Sequence, residues 1–198
     1  YGNPTVANGR VYVGTNNVLP RDPKLKGDRS SLYCLDEETG EFLWQLSVPK
    51  LGAGKVSDWE YLGICSSPAV DGERVYAVTN RCEVICLDVR GLSNGNDGPF
   101  KDEGKYMAGS GNPALELGAT DADIIWVYDM AGELGVFPHN VSSSSVLVVG
   151  DRVYATTSNG VDYSHKEIKN ERAPALIVLD KNTGQLVGEE LAGISQRI

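Results

Sequence analysis

The sequence predicts an all-β protein built by repeating one unit of short antiparallel strands. One stretch recurs three times: Asn3-Pro-Thr-Val-Ala-Asn-Gly-Arg-Val-Tyr12, Ser67-Pro-Ala-Val-Asp-Gly-Glu-Arg-Val-Tyr76 and Ser145-Val-Leu-Val-Val-Gly-Asp-Arg-Val-Tyr154. Each is followed by a second apolar run that closes on Leu-Asp: Leu32-Tyr-Cys-Leu-Asp36, Val84-Ile-Cys-Leu-Asp88 and Leu176-Ile-Val-Leu-Asp180. Arg10, Arg74 and Arg152 stand at one repeat position. The pairs Asn8-Gly9, Asp71-Gly72 and Gly150-Asp151 separate the runs, and such pairs close tight hairpins. No segment holds a sustained 3.6-residue apolar stripe with caps. A unit that cannot bury its own face must stack on a neighbour, so the periodicity outranks any local motif.

In the first unit, a strand ending at Ala7 turns through Asn8-Gly9 into a second strand through Tyr12. After an insertion comes a third strand ending Cys34-Leu-Asp36, then Glu-Glu-Thr-Gly40 and a fourth run, Glu-Phe-Leu-Trp44. An Asp caps its own turn through its side chain, and a Gly accepts a positive φ that other residues resist. Trp44 offers a large rigid surface to wedge against the next unit. The second unit has a bare hairpin between Tyr76 and Asp88, and a long insertion before Trp126, the equivalent of Trp44. The third unit repeats the turn as Asp180-Lys-Asn-Thr-Gly184 but carries Gly188 where the Trp is expected.

These stretches resemble the tryptophan-docking motif of the quinoprotein-like, PQQ-repeat β-propellers. The resemblance covers all three units; it is specific in the first, good in the third and interrupted in the second. It implies a β-propeller of four-stranded antiparallel blades, with units over residues 1–60, 61–138 and 139–198 and insertions at 16–30, 89–123 and 159–173. Propellers close with about four to eight blades. Three blades leave two open edges, which invite strand pairing. The chain is therefore expected to be a segment of a larger ring, completed by further blades of the same propeller or by another chain.

With the strands of a blade named A to D from the centre outwards, the insertions after Asn16 and Asn159 lie between strands B and C. In an up-down-up-down blade these emerge on the same face as the D–A connections, which carry Trp59, Tyr61 and His139. Loops on a rigid scaffold are common binding sites. The candidate ligand face is therefore Trp59, Tyr61, His139, Asn159, Asp162 and Tyr163, with long loops that simply cover the ring as the bland reading. Aromatics beside Asn and Asp suit a polar organic ligand such as a sugar. The insertion at 89–123, rooted between strands C and D, is expected on the opposite face, meandering over the surface.

Composition sets the partners loosely. A net charge of −9 argues against nucleic acid or an anionic membrane as main partner. No run approaches the ~20 apolar residues that span a bilayer. Of the four cysteines, Cys34 and Cys86 share a strand position and are expected to fill the core; Cys65 and Cys82 stay open between thiol and disulfide. No catalytic residue is assigned: His139 and His165 lie apart from any nucleophile elbow or metal-type pair. No metal is assigned either. Asn94-Gly-Asn-Asp-Gly98 resembles an EF-hand start, but Gly95 stands where a ligand belongs. Asn140-Val-Ser142 matches a glycosylation sequon.

The resemblance implies two functional classes. Some PQQ-repeat propellers are dehydrogenases of alcohols or sugars that hold pyrroloquinoline quinone, usually with calcium. Others lack the cofactor and serve as binding or assembly scaffolds at the bacterial envelope. This chain has none of the adjacent cysteines common in the enzymes, which favours a scaffold, periplasmic or secreted, with a sugar or protein ligand. Part of a PQQ-dependent dehydrogenase is the rival reading; a structural module of a larger envelope enzyme is a third.

Overall fold

The computed structural model describes residues 2–51, 61–162, 164–190 and 192. Three four-stranded antiparallel sheets follow one another along the chain. The first holds β1 (Thr5–Ala7), β2 (Arg10–Asn16), β3 (Arg29–Asp36) and β4 (Phe42–Pro49). The second holds β5 (Ala69–Asp71), β6 (Arg74–Thr79), β7 (Glu83–Asp88) and β8 (Ile124–Asp129). The third holds β9 (Leu147–Val149), β10 (Arg152–Thr156), β11 (Leu176–Asp180) and β12 (Leu186–Glu189).

The short inner strands touch in sequence, β1 against β5 and β5 against β9. Repeat-equivalent residues join them: the Asn3 amide donates to Ser67 Oγ at 2.9 Å, and the Ser67 amide to Ser145 Oγ at 3.0 Å. The sheets are the blades of a β-propeller.

The repeat positions explain themselves in the register. Each arginine opens a B strand opposite the aspartate that closes strand C, as Arg10–Asp36, Arg74–Asp88 and Arg152–Asp180. Two of these are ion pairs, at 2.8 Å for Arg74 and 3.2 Å for Arg152. Every blade carries a bulge at one place between strands C and D, after Cys34, Cys86 and Val178.

Side-chain alternation along a strand gives the middle blade two buried faces. Val75, Ala77, Ile85 and Leu87 pack toward the first blade with Tyr12, Leu32 and Trp44. Tyr76, Val78, Val84 and Cys86 pack toward the third with Val153, Ile177 and Trp126.

Each indole reaches across a blade junction in the same way. Trp44 Nε1–H donates to the Val89 carbonyl at 2.9 Å, and Trp126 Nε1–H to the Lys181 carbonyl at 3.0 Å. Both acceptors follow the aspartate that ends strand C. Each ring lies on a left-handed glycine of the next blade, Gly91 under Trp44 and Gly184 under Trp126. A Cβ at Gly91 would stand 2.8 Å from Trp44 Cγ, and one at Gly184 2.6 Å from Trp126 Cδ2 and Cε3. Gly91 thus takes the role of Gly184 despite the interrupted sequence of the second unit.

The insertion at 89–123 departs from the expected surface meander. It includes a 3-10 turn, Gly91–Asn94, and a helix α1, Glu103–Ala108. Met107 on α1 is fully buried in the junction between the first two blades, and its carbonyl accepts from the Arg29 guanidinium. Residues 120–122 then run beside β4: the Gln45 amide donates to the Thr120 carbonyl at 3.0 Å, and the Ala122 amide to the Gln45 carbonyl at 2.9 Å. The segment covers the outer edge of the first blade because β4 would otherwise present unpaired backbone there. A second short helix, α2 (Met130–Leu134), leaves β8 with Asp129 capping the Gly132 amide at 2.9 Å. No helix among the described residues is long and apolar enough to cross a membrane.

Candidate functional site

Strands B and D all run toward one end of the blades, called here the upper face, and the B–C and D–A connections leave from it. The loop at 16–28 is folded inward by Leu25, 3 % exposed, and by the Asn17 amide group bonded to the Leu25 and Gly27 carbonyls. Asp28 ties it to the next connection, pairing with Lys50 at 3.0 Å and accepting from the Tyr61 amide at 3.0 Å. Tyr61 stands exposed beside it.

The connections around 131–143 and 157–171 form a second knot. Asn159, buried, accepts from the Phe137 amide at 3.0 Å and donates to the Asn170 carbonyl at 2.9 Å. Asp162, also buried, accepts from the Ser164 amide at 3.0 Å and pairs with Lys169 at 3.0 Å. The Ser164 hydroxyl and then Lys169 hold its carboxyl well below the usual range, at about 2. His139 places Nδ1 2.9 Å from the Val161 carbonyl and packs edge-on against His165 with ring centroids 4.8 Å apart.

The structure brings His139, Asn159 and Asp162 together, and sets Tyr61 on the neighbouring loop pair. Asn159 and Asp162 organise the loops rather than present free polar groups. Trp59 and Tyr163 lie outside the described residues.

Backbone strain gathers on this face. Six described non-glycine residues have left-handed φ, and five of them, Tyr61, Cys82, Asn140, Ser158 and His165, sit in upper-face loops. Such conformations cost energy and persist where surrounding structure enforces them, commonly at binding sites.

One open cleft of about 410 Å³ is lined by Arg81, Phe100, Asp102, Lys105, Tyr106 and the segment 109–112. Arg81 comes from the bare hairpin of the middle blade; the rest climb to it from the insertion at 89–123. Tyr106 donates its hydroxyl to Glu83 at 2.5 Å, and burial followed by that carboxylate pushes its acidity far down. Arg81 bonds both oxygens of Glu83, at 3.1 and 3.2 Å, and Phe100 packs edge-on to Tyr106. Lys105 is exposed at the rim. Sequence reasoning missed this cleft because its walls come from opposite ends of a blade. The one local signal was a charged pair, Arg81 within a tight turn and Glu83 just after it.

The four thiols are free. Cys34 and Cys86 are buried in strands as expected, and Cys82 sits under the third blade with Sγ 3.8 Å from the Thr157 carbonyl. Burial pushes all three up to about 12.

A family model described as outer membrane protein assembly factor BamB matches residues 1–193. The chain belongs to that PQQ-repeat family. Among solved structures it is similar to quinohemoprotein alcohol dehydrogenase from Comamonas testosteroni, with 13 % identity and a TM-score of 0.51, covering 96 % of this chain and 20 % of that one. It is also similar to BamB from Moraxella catarrhalis, with 14 % identity and a TM-score of 0.41, covering 92 % of this chain and 33 % of that one. The chain thus spans between a fifth and a third of the length of these two structures. No curated protein matches the sequence.

Trp44 and Trp126 do not fit a stacked quinone. Both rings are wedged between blades, 1 % and 5 % exposed, with their N–H groups already bonded to backbone.

Proposed function

We propose that the chain acts as a binding or assembly scaffold of the bacterial cell envelope, periplasmic or secreted, and meets a sugar or protein ligand on its upper face. The observation that carries this reading is the gathering of left-handed, loop-locked residues on that face alongside an aromatic and cationic cleft. The reading assigns Trp59, Tyr61, His139 and Tyr163 to the ligand and Asn159 and Asp162 to holding the loops beneath it, and the cleft adds Arg81, Phe100, Lys105 and Tyr106. The family's assembly-factor description supports a protein partner. The blades completing the ring, in this chain or another, are further partners. The edge blades suit them: Val6 on the first and Leu147, Val149 and Val187 on the third are each at least half exposed.

The rival is a part of a PQQ-dependent dehydrogenase, favoured by the fold likeness to a quinohemoprotein enzyme. Two measurements on the full chain separate them. A photo-crosslinker at Tyr61 is expected to capture an envelope partner, while one at Glu38, in a turn on the lower face, is not. Equal capture from Glu38 would remove the face assignment. Retention of quinone absorbance after adding PQQ and calcium and removing the excess would favour the enzyme.

A further inference from the structure

On the lower face of the middle blade, three carboxylates from separate pieces of chain converge. Asp88 ends β7, Asp123 immediately precedes β8, and Asp97 lies in the insertion between them. Each offers an oxygen within 4.8 Å of the others. Oxygens bound to one calcium ion at about 2.3–2.6 Å can stand no more than about 5 Å apart, so this spacing fits a single ion.

The frame is rigid. The Asp88 amide donates to the Asp123 carbonyl at 3.0 Å, and the Asp97 amide to Asp123 Oδ2 at 3.1 Å. Asn94 donates to Asp97 Oδ2 at 2.8 Å.

Proximity of acids alone would mean little on an exposed surface. Here Asp123 is wholly buried, and its Oδ1 has no hydrogen-bond donor. Glu103 on α1, 2 % exposed, also carries an unpartnered oxygen, Oε1. Leaving a buried carboxylate oxygen without a donor or a counter-ion is costly.

Lys101 bonds the carbonyl and side-chain oxygens of Asn96, and two arginines serve Asp88. Arg74 bonds its Oδ2 at 2.8 Å, and the Arg90 guanidinium approaches its Oδ1 at 3.9 Å. Neither is paired with Asp123, Asp97 or Glu103 among the described residues.

We propose that Asp88, Asp97 and Asp123 bind one hard divalent cation, calcium by the all-oxygen donor set, with Glu103 adding negative charge behind it. The site lies between the outer strands of the blade and pins the root of the insertion to them. It involves none of the upper-face residues, so it stands or falls apart from the ligand-face reading.

The test is calcium titration of the chelator-treated full chain by calorimetry, with thermal unfolding in parallel. Saturable one-to-one binding and a raised Tm are expected, with a Kd on the order of 10⁻⁴–10⁻³ M, as in extracellular calcium modules. Asp97→Asn, at an exposed position that tolerates change, is expected to weaken binding about tenfold or more. Asp123→Asn is expected to abolish it, and Glu38→Gln to leave it unchanged. No heat and no Tm shift up to about ten times that Kd range would overturn the proposal. So would unchanged binding in Asp97→Asn. A Tm raised by Asp123→Asn with no response to calcium would show instead that the carboxylates share a proton.

Discussion

Gly40 and Gly184 hold the same backbone conformation, φ +71° in both, yet differ in what lies above them. Nothing described comes within 4 Å of a Cβ built at Gly40, whereas one at Gly184 would enter the ring of Trp126. Gly40→Ala is therefore expected to cost about 1 kcal/mol, from backbone strain alone. Gly184→Ala adds the displacement of a packed indole, roughly 1–3 kcal/mol more. Trp44→Ala, which empties the first junction, should cost about 3–5 kcal/mol. Denaturant unfolding of the three variants checks the order; equal costs for the two glycines would mean that Trp126 does not rest on Gly184. At this scale the sequence was informative. The Asp-x-x-Thr-Gly turns were legible because each acts within a few residues, and Trp44 because it follows the first of them directly in sequence, although its partner Val89 lies in the next blade. Gly91 was not, because the second unit reaches its glycine one residue early, as Asp88-Val-Arg-Gly91.

The insertion at 89–123 is the element that sequence reasoning described least well. Its six-residue helix α1 is under two turns, too short to display a period, and Gly and Asn around it read as loop. What buries it is tertiary: Met107 enters a core made by two blades, and Arg29, far away in sequence, reaches its carbonyl. Met107→Ala is expected to cost about 2–5 kcal/mol and to loosen the segment. Limited proteolysis followed by mass analysis should then cut within 89–123 faster than in the parent, leaving the strands intact. An unchanged cleavage rate there would mean the helix is not held by this side chain. The knot around Asn159 was half legible. Its loops were placed on the correct end of the blades by strand counting, but the inward turn of Asn159 and Asp162 depends on partners in other loops.

For the molecule as a whole, the titrating carboxylates fall into two groups of opposite sign. Asp36 and Asp180 are held low by the turn amides of Thr39 and Thr183, and Asp162 by Ser164 and Lys169. They stabilise the fold above the ordinary carboxylate range, and that contribution is lost as pH falls below it, for Asp162 toward about 2. Burial raises Asp121, Asp123 and Glu83 instead, so proton uptake by these three favours the fold as pH drops from neutrality. Tm should therefore pass through a maximum at mildly acid pH. A steady decline from pH 7 downward would show that the buried acids are not strained in the native state. The indole contacts have one more consequence, which concerns symmetry. The middle blade offers the Trp126 ring to one neighbour and the Gly91 cradle to the other, so the contact has a head and a tail. A surface of that kind is never its own complement. Copies of such a unit joined through it can close a ring or extend a filament, but they cannot form a two-fold dimer.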